Sequence, residues 1–386
     1  GRVGCHGRIS VNMKKSSEME KVRKNAGLDY EVVVIGAGVG GIYQIKRLVD
    51  LGIRATVLEA NSGLGGTWFN NRYPGARFDS ESYTYGYSFS EELLDEWHWK
   101  EHFSPQPETL EYLNFVADKF DLKKYMQFDC EVGSMEFNEQ TDTWTIMLKG
   151  GREIVTRFVV TAMGVLSIPT LPKFPGLETF EGTSFHPFNW PHESLDLTGK
   201  RVGVIGTGAT AIQFIPEIAK VTEHLTVFQR RPNWAAPLNN GDISEKEMSE
   251  IRDRYDEIFA ACARTPGGFE HEPDRRKFHD VPKEQRLELW ERLYKARGFG
   301  IWLSNFVEIF TEDEANAELS EYIANKIRER VNDPELAEKL IPKDHGFGVQ
   351  RVPLETNYFE TYNQDNVELV DSASTPIDRV TRDGLK

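Results

Sequence analysis

The chain runs to 386 residues, 39% of them hydrophobic, enough for two or three ordinary domains of ~150 residues with cores of their own. Its 61 acidic side chains outnumber 46 basic ones and leave a formal charge of −15, which repels phosphate backbones and anionic lipid surfaces alike. Nucleic-acid and membrane-surface binding therefore have no electrostatic basis, and a soluble enzyme is the expected class.

Residues 1–28 are polar and basic with no strand pattern; they read as a frayed arm, with Met13 a candidate start. Glu31–Ile35 (EVVVI) is a short β-branched run suited to a strand buried on both faces, and it leads directly into Gly36-Ala37-Gly38-Val39-Gly40-Gly41. Ile42, Ile45, Leu48 and Val49 recur at helical spacing, Gly52 stops that helix, and Arg54–Glu59 reads as a second parallel strand. In such a unit Gly36 permits the tight turn, Gly38 lets the backbone approach a pyrophosphate, and Gly41 lets helix and strand pack closely. Glu59 falls where ribose hydroxyls would lie, and its charge repels a 2′-phosphate, so this seat suits FAD or NAD and not NADP.

Trp68–Phe103 is dense in aromatic residues, a composition that fits either core packing or contact with a flat ring system. An amphipathic helix is expected over Thr109–Phe120, a hairpin from Glu131–Glu136 and Thr143–Leu148, and a returning buried strand at Phe158–Gly164. These close a first domain, 29–168. Pro169, Pro172 and Pro175 then open a connector, 169–199, that contains Phe180-x-Gly182-xxx-His186-xxx-Trp190-Pro191. His186 reads first as a buried histidine bonded to backbone.

Arg201–Ile205 (RVGVI) is again read as a short buried strand, and it runs into a second glycine turn, Gly206-Thr207-Gly208-Ala209-Thr210-Ala211. A helix over Ile212–Val221 and a strand at Leu225–Gln229 follow, and the strand ends in Arg230-Arg231 where the first unit has Glu59. A guanidinium grips a phosphate bidentately and gains little from a bare ribose, so the second seat should take NADP and leave FAD to the first. The second domain, 200–356, contains a helical insertion, 241–343, with helices at Ser244–Cys262 (capped by Ser244), Lys283–Arg297, Asp313–Val331 and Glu335–Leu340. Charges there such as Glu329 and Arg330 read as a solvated face, and Asn366–Asp371 reads as a strand returning to the first domain with residues 357–386. The fold class is thus α/β, with two Rossmann-like dinucleotide-binding domains and a helical insertion in the second.

The connector motif, Gly65-Gly66-Thr67-Trp68, the stretch Asn71–Asp79 and Phe347-Gly348-Val349-Gln350-Arg351-Val352-Pro353 together closely resemble the type I Baeyer–Villiger monooxygenases from Asp29 onward. The resemblance implies an enzyme using FAD, NADPH and dioxygen to turn a ketone into an ester or lactone through a C4a-peroxyflavin. It implies cofactor contacts from Gly66, Thr67, Trp68, Arg77, Asp79, Tyr85 and Val132 on the flavin side, and from Gln229, Arg230 and Gln350 on the NADPH side. Arg351 and Asp79 take the catalytic positions. Phe78 departs from the small or sulfur-bearing residue common there, and Gln350 from a basic one. Family members run on well beyond the strand at 366–371, so the chain is expected to be short at its C-terminus.

Two rival readings remain open on the same seats: an N- or S-oxidising flavin monooxygenase, and a non-catalytic FAD/NADP-binding remnant. A flavin disulfide reductase needs a redox cysteine pair, and Cys5, Cys130 and Cys262 are scattered singly. No metal site is expected. Lone cysteines suit a reducing compartment, and with no run of roughly 18 apolar residues and no leader pattern a cytoplasmic address is expected.

Overall fold

A computed structural model describes residues 27–193 and 195–386. The expectations placed on residues 1–26, Met13 and Cys5 among them, lie outside the described residues. Two units emerge: residues 27–70 with 110–169, and residues 71–109 with 170–386. The segment 71–109, assigned to the first domain on sequence, groups with the second.

The first unit is built on β1 (Tyr30–Ile35), whose β-branched residues pair on both sides. β2 (Ala55–Leu58) runs parallel along one edge, in register Val32↔Ala55 to Ile35↔Leu58. β6 (Glu153–Thr161) runs parallel along the other. Flanked this way, Val33 and Val34 are fully buried, as a strand covered on both faces requires. α1 (Val39–Asp50) follows the glycine turn at once and lays Ile42 and Ile45, both 0% exposed, against the sheet; each contributes about 1.5–3 kcal/mol by burial. α2 (Gln106–Lys119) buries Leu113, Val116 and Ala117 and leads to β3 (Met126–Gln127), β4 (Val132–Asn138) and β5 (Thr143–Leu148). The sheet order is β3-β2-β1-β6-β5-β4, so the antiparallel β4–β5 hairpin extends the parallel part through β6.

β6 begins five residues earlier than expected because its first half is the antiparallel partner of β5. The stretch expected to be buried is not: Phe158 on β6 is 60% exposed, and Met163, just past the strand's end at Thr161, is 53% exposed. Beyond Thr156 the strand pairs with β1 alone, from Phe158 to Thr161, because the register with β5 ends at Trp144↔Thr156.

The second unit carries a three-stranded parallel sheet in the order β11-β8-β7, from β7 (Arg201–Ile205), β8 (His224–Gln229) and β11 (Val367–Asp371). Only Val204 of β7 is buried, because β7 is an edge strand; the expectation of a strand covered on both faces does not hold. β8 holds the centre, with Leu225 and Val227 fully buried. β11, expected to return to the first domain, instead pairs with β8 from Val367↔Leu225 to Asp371↔Gln229. The Asn366 amide fixes this choice by donating to the carbonyls of Ala219 and Thr222, each at 3.0 Å.

α3 (Ala209–Ala219) packs between this sheet and the insertion core. A short parallel pair follows, β9 (Ala236–Pro237) with β10 (Leu354–Glu355), and the insertion helices lie between the two in sequence. The helix expected at 244–262 is two: α4 (Glu245–Asp253), capped by the Ser244 hydroxyl accepting from Glu247 N–H, and α5 (Tyr255–Arg264). The break at Arg254 involves no glycine or proline and so leaves no mark in the pattern. α6 (Lys283–Lys295), α7 (Asp313–Arg330) and α8 (Pro334–Leu340) lie where expected. Arg330 does not belong to a solvated face: it ends α7 against Glu355, whose side chain is 0% exposed, and Glu360.

Candidate active site

The first glycine turn is shaped by backbone contact. Gly36 has φ +100° and donates its N–H to Leu58 O at 2.8 Å. A Cβ on Gly41 would sit 1.8 Å from the Gly36 carbonyl, so helix and turn approach as closely as the sequence pattern requires. Gly65 donates to Ala37 O at 2.9 Å, and a Cβ on Gly66 (φ +55°) would lie 2.9 Å from Gly38 Cα, so the second glycine pair is laid on the first turn. Thr67 is exposed on the short helix Thr67–Asn70, and Trp68 is buried there. Glu59 is 5% exposed; one carboxylate oxygen accepts Ala37 N–H at 2.7 Å and the other accepts both Asn61 N–H groups at 2.8 Å. The acid thus braces the turn, and the oxygen that accepts only Ala37 N–H keeps a lone pair for a ribose hydroxyl. Gly38 caps α1 with no side-chain hydrogen bond, which leaves the helix N-terminus to an anion. Val132 opens β4 half-buried, beside a register shift in the β4–β5 pairing. These features fit a dinucleotide such as FAD.

The second unit repeats the device with opposite charge. Gly206 has φ +102°, and Gly208 caps α3 without a side-chain partner. Nothing lies within 4 Å of a Cβ built on either glycine, so the turn opens onto free space. Thr207 is 5% exposed and its hydroxyl donates to the Arg231 carbonyl at 2.8 Å, tying the turn to the arginine pair. Arg230 is exposed, with no carboxylate partner among the described residues; Arg231 stands 3.7 Å from Asp344. Ala209 and Ala211 begin α3 and leave room beside the turn. Gln229 lies at the end of β8, as the spacing places it. It is 4% exposed and one of its two amide N–H groups donates to Lys339 O at 2.7 Å. Gln350 is exposed. An open turn, an uncapped helix end and a free guanidinium fit a 2′-phosphorylated dinucleotide.

The same unit assembles the pair that sequence separates by 272 positions: Arg351 Nη2 donates to Asp79 Oδ2 at 2.8 Å. Asp79 is 5% exposed while the Arg351 side chain is 59% exposed, so a buried acid holds a guanidinium whose other donors face outward. Burial lifts the Asp79 carboxyl from 3.8 to about 6, against the opposing pull of Arg351, a hydrogen bond from the Leu354 backbone, and Arg77. Arg77 itself donates to Glu101 at 2.8 Å and Phe103 O at 2.9 Å.

Gln213, which the motifs did not single out, organises this corner. Its amide donates to Arg77 O at 2.9 Å and stands 3.5 Å from Asp79 Oδ1, while its carbonyl accepts the Tyr73 hydroxyl at 2.9 Å. Thr210 of the glycine turn hydrogen-bonds Tyr73 in turn, and burial pushes the Tyr73 hydroxyl pKa up. The sequence signal was present: a neutral amide set between Ile212 and Phe214 in a mostly apolar helix. Gly75 (φ +79°) makes the approach feasible, since a Cβ there would meet Gln213 O at 2.6 Å.

The aromatic run resolves partly into core and partly into half-buried rings. Trp99 and Phe103 are buried outright, and Phe78 is 6% exposed, stacked on half-buried Tyr85 at 4.3 Å and 14°. In the connector, His186 Nδ1 accepts Phe188 N–H at 3.1 Å and caps a short 3₁₀ turn, a structural role bonded to backbone. Trp190 packs on Phe185 and on Phe214 of α3, so the motif's tryptophan anchors the connector to the second seat's helix, with Pro191 next in line. The Phe180 ring folds over Gly182, where a Cβ would lie 2.5 Å from it. Among the described residues no group of histidine, cysteine and acidic side chains is arranged to hold a metal ion.

A fold with two such turns and this charged pair defines a two-nucleotide flavoprotein oxidoreductase. The flavin-binding monooxygenase-like family model matches residues 29–240, more than half of the chain, and the chain belongs to that family. It is 45% identical over 374 residues to 2-oxo-Delta(3)-4,5,5-trimethylcyclopentenylacetyl-CoA monooxygenase of Pseudomonas putida, covering 95% of this chain and 68% of that protein. It is 41% identical over 356 residues to acetone monooxygenase (methyl acetate-forming) of Gordonia sp. (strain TY-5), covering 92% and 67%. A crystal structure of OTEMO in complex with FAD and NADP superposes with a TM-score of 0.91 at 45% identity, over 93% of this chain and 68% of that one. The chain thus spans about two thirds of the length of these relatives.

Proposed function

We propose that this chain belongs to a Baeyer–Villiger monooxygenase that uses FAD, NADPH and dioxygen to convert a ketone to an ester or lactone. Relatives named for ketone oxidation at 41–45% identity support the reading. The observation that carries it is the Arg351–Asp79 pair, an outward guanidinium held by a buried acid on the unit with the arginine-guarded turn.

Each residue has a physical task. Gly36, Gly38 and Gly41 with Glu59 seat FAD; Gly206–Ala211 with Arg230 seat NADPH by its 2′-phosphate. Bound FAD would supply hydride acceptance and dioxygen activation. Arg351 presents fixed positive charge where negative charge develops on oxygen, and it requires no reorganisation because Asp79 already holds it. Asp79 does so while ionised, that is, above about pH 6. Gln213 and Arg77 hold Asp79 in turn. We place the enzyme in the cytosol, on its lone cysteines.

The test is product analysis. Protein loaded with FAD is supplied with NADPH and panels of ketones, amines and sulfides. Esters or lactones are expected. N- or S-oxides alone support the rival oxidase, and NADPH oxidation yielding only hydrogen peroxide supports the remnant.

A further inference from the structure

Arg330 ends α7, and the solvated role read from its neighbours is wrong. Its guanidinium forms two forks. Nη1 and Nη2 donate to the Glu355 oxygens at 2.7 and 3.1 Å, and Nε and Nη2 donate to those of Glu360 at 2.6 and 2.8 Å. The remaining donor direction goes to the Tyr294 hydroxyl at 3.1 Å, and the group lies 5.1 Å over the Phe359 ring. Glu355 has no exposed side-chain surface and also accepts Tyr358 N–H at 2.9 Å. Burial opposes the charge on Arg330, and the two carboxylates more than offset it. Two acids share one cation here, so removing or displacing Arg330 leaves two carboxylates together with no guanidinium between them.

This clamp grips the short strand that begins three residues after Arg351. Glu355 is the last residue of β10, and the four residues Val352–Glu355 are all buried. Pro353 among them has its φ fixed by the ring, and its carbonyl accepts Ala236 N–H at 3.1 Å, while Glu355 O accepts Leu238 N–H at 2.9 Å. At the near end, Asp79 takes both the Arg351 guanidinium and the Leu354 backbone hydrogen bond. A segment so packed cannot absorb a displacement of Glu355 by local flexing; the shift passes to Arg351. An Arg-to-Lys change at Arg330 keeps the charge and loses both forks, so it separates placement from electrostatics.

We propose that Arg330 is a positioning residue for the active site: by clamping Glu355 and Glu360 it fixes β10, and through β10 it sets Arg351 against Asp79. The catalytic importance of that setting rests on the function proposed above; the setting itself does not. It is therefore tested without nucleotide or ketone. In protein carrying ¹⁵N-labelled arginine, the guanidinium Nε–H signal of Arg351 is assigned by its loss in Arg351→Ala and followed in Arg330→Lys, with thermal melting to establish folding. A folded Arg330→Lys is expected to shift and broaden that signal, and crystals of the variant are expected to show the Arg351–Asp79 contact lengthened or lost. Ester formed per NADPH oxidised should fall about tenfold or more, with flavin retention unchanged. An unaltered signal and contact in folded Arg330→Lys overturns the proposal. Should Arg330→Lys fail to fold, Glu360→Gln takes its place. Its side chain is 42% exposed and it removes one fork only, so a smaller shift of the same signal is expected and an unchanged signal overturns the proposal. If wild-type protein forms no ester while Arg330→Lys still disturbs the Arg351 signal, the activity reading fails and the clamp stands.

Discussion

Replacing Asp79 by asparagine tests whether its ionisation is held at a cost. The carboxyl is 5% exposed and its pKa is lifted from 3.8 to about 6, chiefly by burial. A carboxyl with a raised native pKa binds more protons folded than unfolded between those two values. Its contribution to stability therefore falls as pH rises through that window. The rise of about 2 units, at ~1.4 kcal/mol each, amounts to about 3 kcal/mol of destabilisation, fully present at neutral pH and absent well below the unfolded value. Asparagine does not titrate and its oxygen can still accept from Leu354. Urea unfolding of wild type and Asp79→Asn should therefore give a difference in unfolding free energy, variant minus wild type, that grows by about 3 kcal/mol from about pH 3.5 to about pH 7.5. Other groups titrate in the same range and cancel in the difference where they do not touch Asp79. A difference that stays flat, or shrinks as pH rises, would refute a buried, raised carboxyl at this position.

The remaining predictions concern the seats and their supports. Gly41→Ala places a Cβ 1.8 Å from the Gly36 carbonyl, so FAD retained after gel filtration should fall at least tenfold, at a stability cost of about 1–3 kcal/mol. NADP⁺ binding by calorimetry should survive that change. Arg230→Ala removes a charge-assisted phosphate contact of about 1.5–3 kcal/mol, so NADP⁺ should bind about ten- to a hundredfold more weakly while NAD⁺ is unaffected; equal losses for both nucleotides would contradict the assignment. Gln213→Leu withdraws a donor from beside Asp79 and a partner from Tyr73, and the acid limb of the pH–rate profile should move upward by a few tenths of a unit, against no movement if Gln213 merely fills space.

Much of this architecture is local and therefore readable. A β-branched run, a glycine turn, an amphipathic helix and a charged strand end are set by neighbours in sequence, so both seats and the opposite charges of Glu59 and Arg230 follow from spacing. What escapes is whatever depends on the pairing of distant segments. The place of β11 beside β8 is decided by Asn366 reaching the end of α3, and nothing in NVELVD distinguishes that edge from another. Gln213 and Arg330 look like an ordinary polar residue and an ordinary surface charge until Asp79 and Glu355 arrive from 134 and 25 positions away. Gln229 shows the same limit: at the expected strand end, its amide also bonds a carbonyl 110 positions on, which spacing does not reveal. The Arg351–Asp79 pair came from resemblance, and no rule of spacing would have joined them.

The most direct measurement supplies the FAD-loaded protein with NADPH, a ketone and ¹⁸O₂, and weighs the product. One labelled oxygen atom in an ester or lactone, lost when Arg351 becomes alanine while FAD stays bound, is the predicted result. An unlabelled product, or label appearing only in hydrogen peroxide or in an N- or S-oxide, would contradict the account.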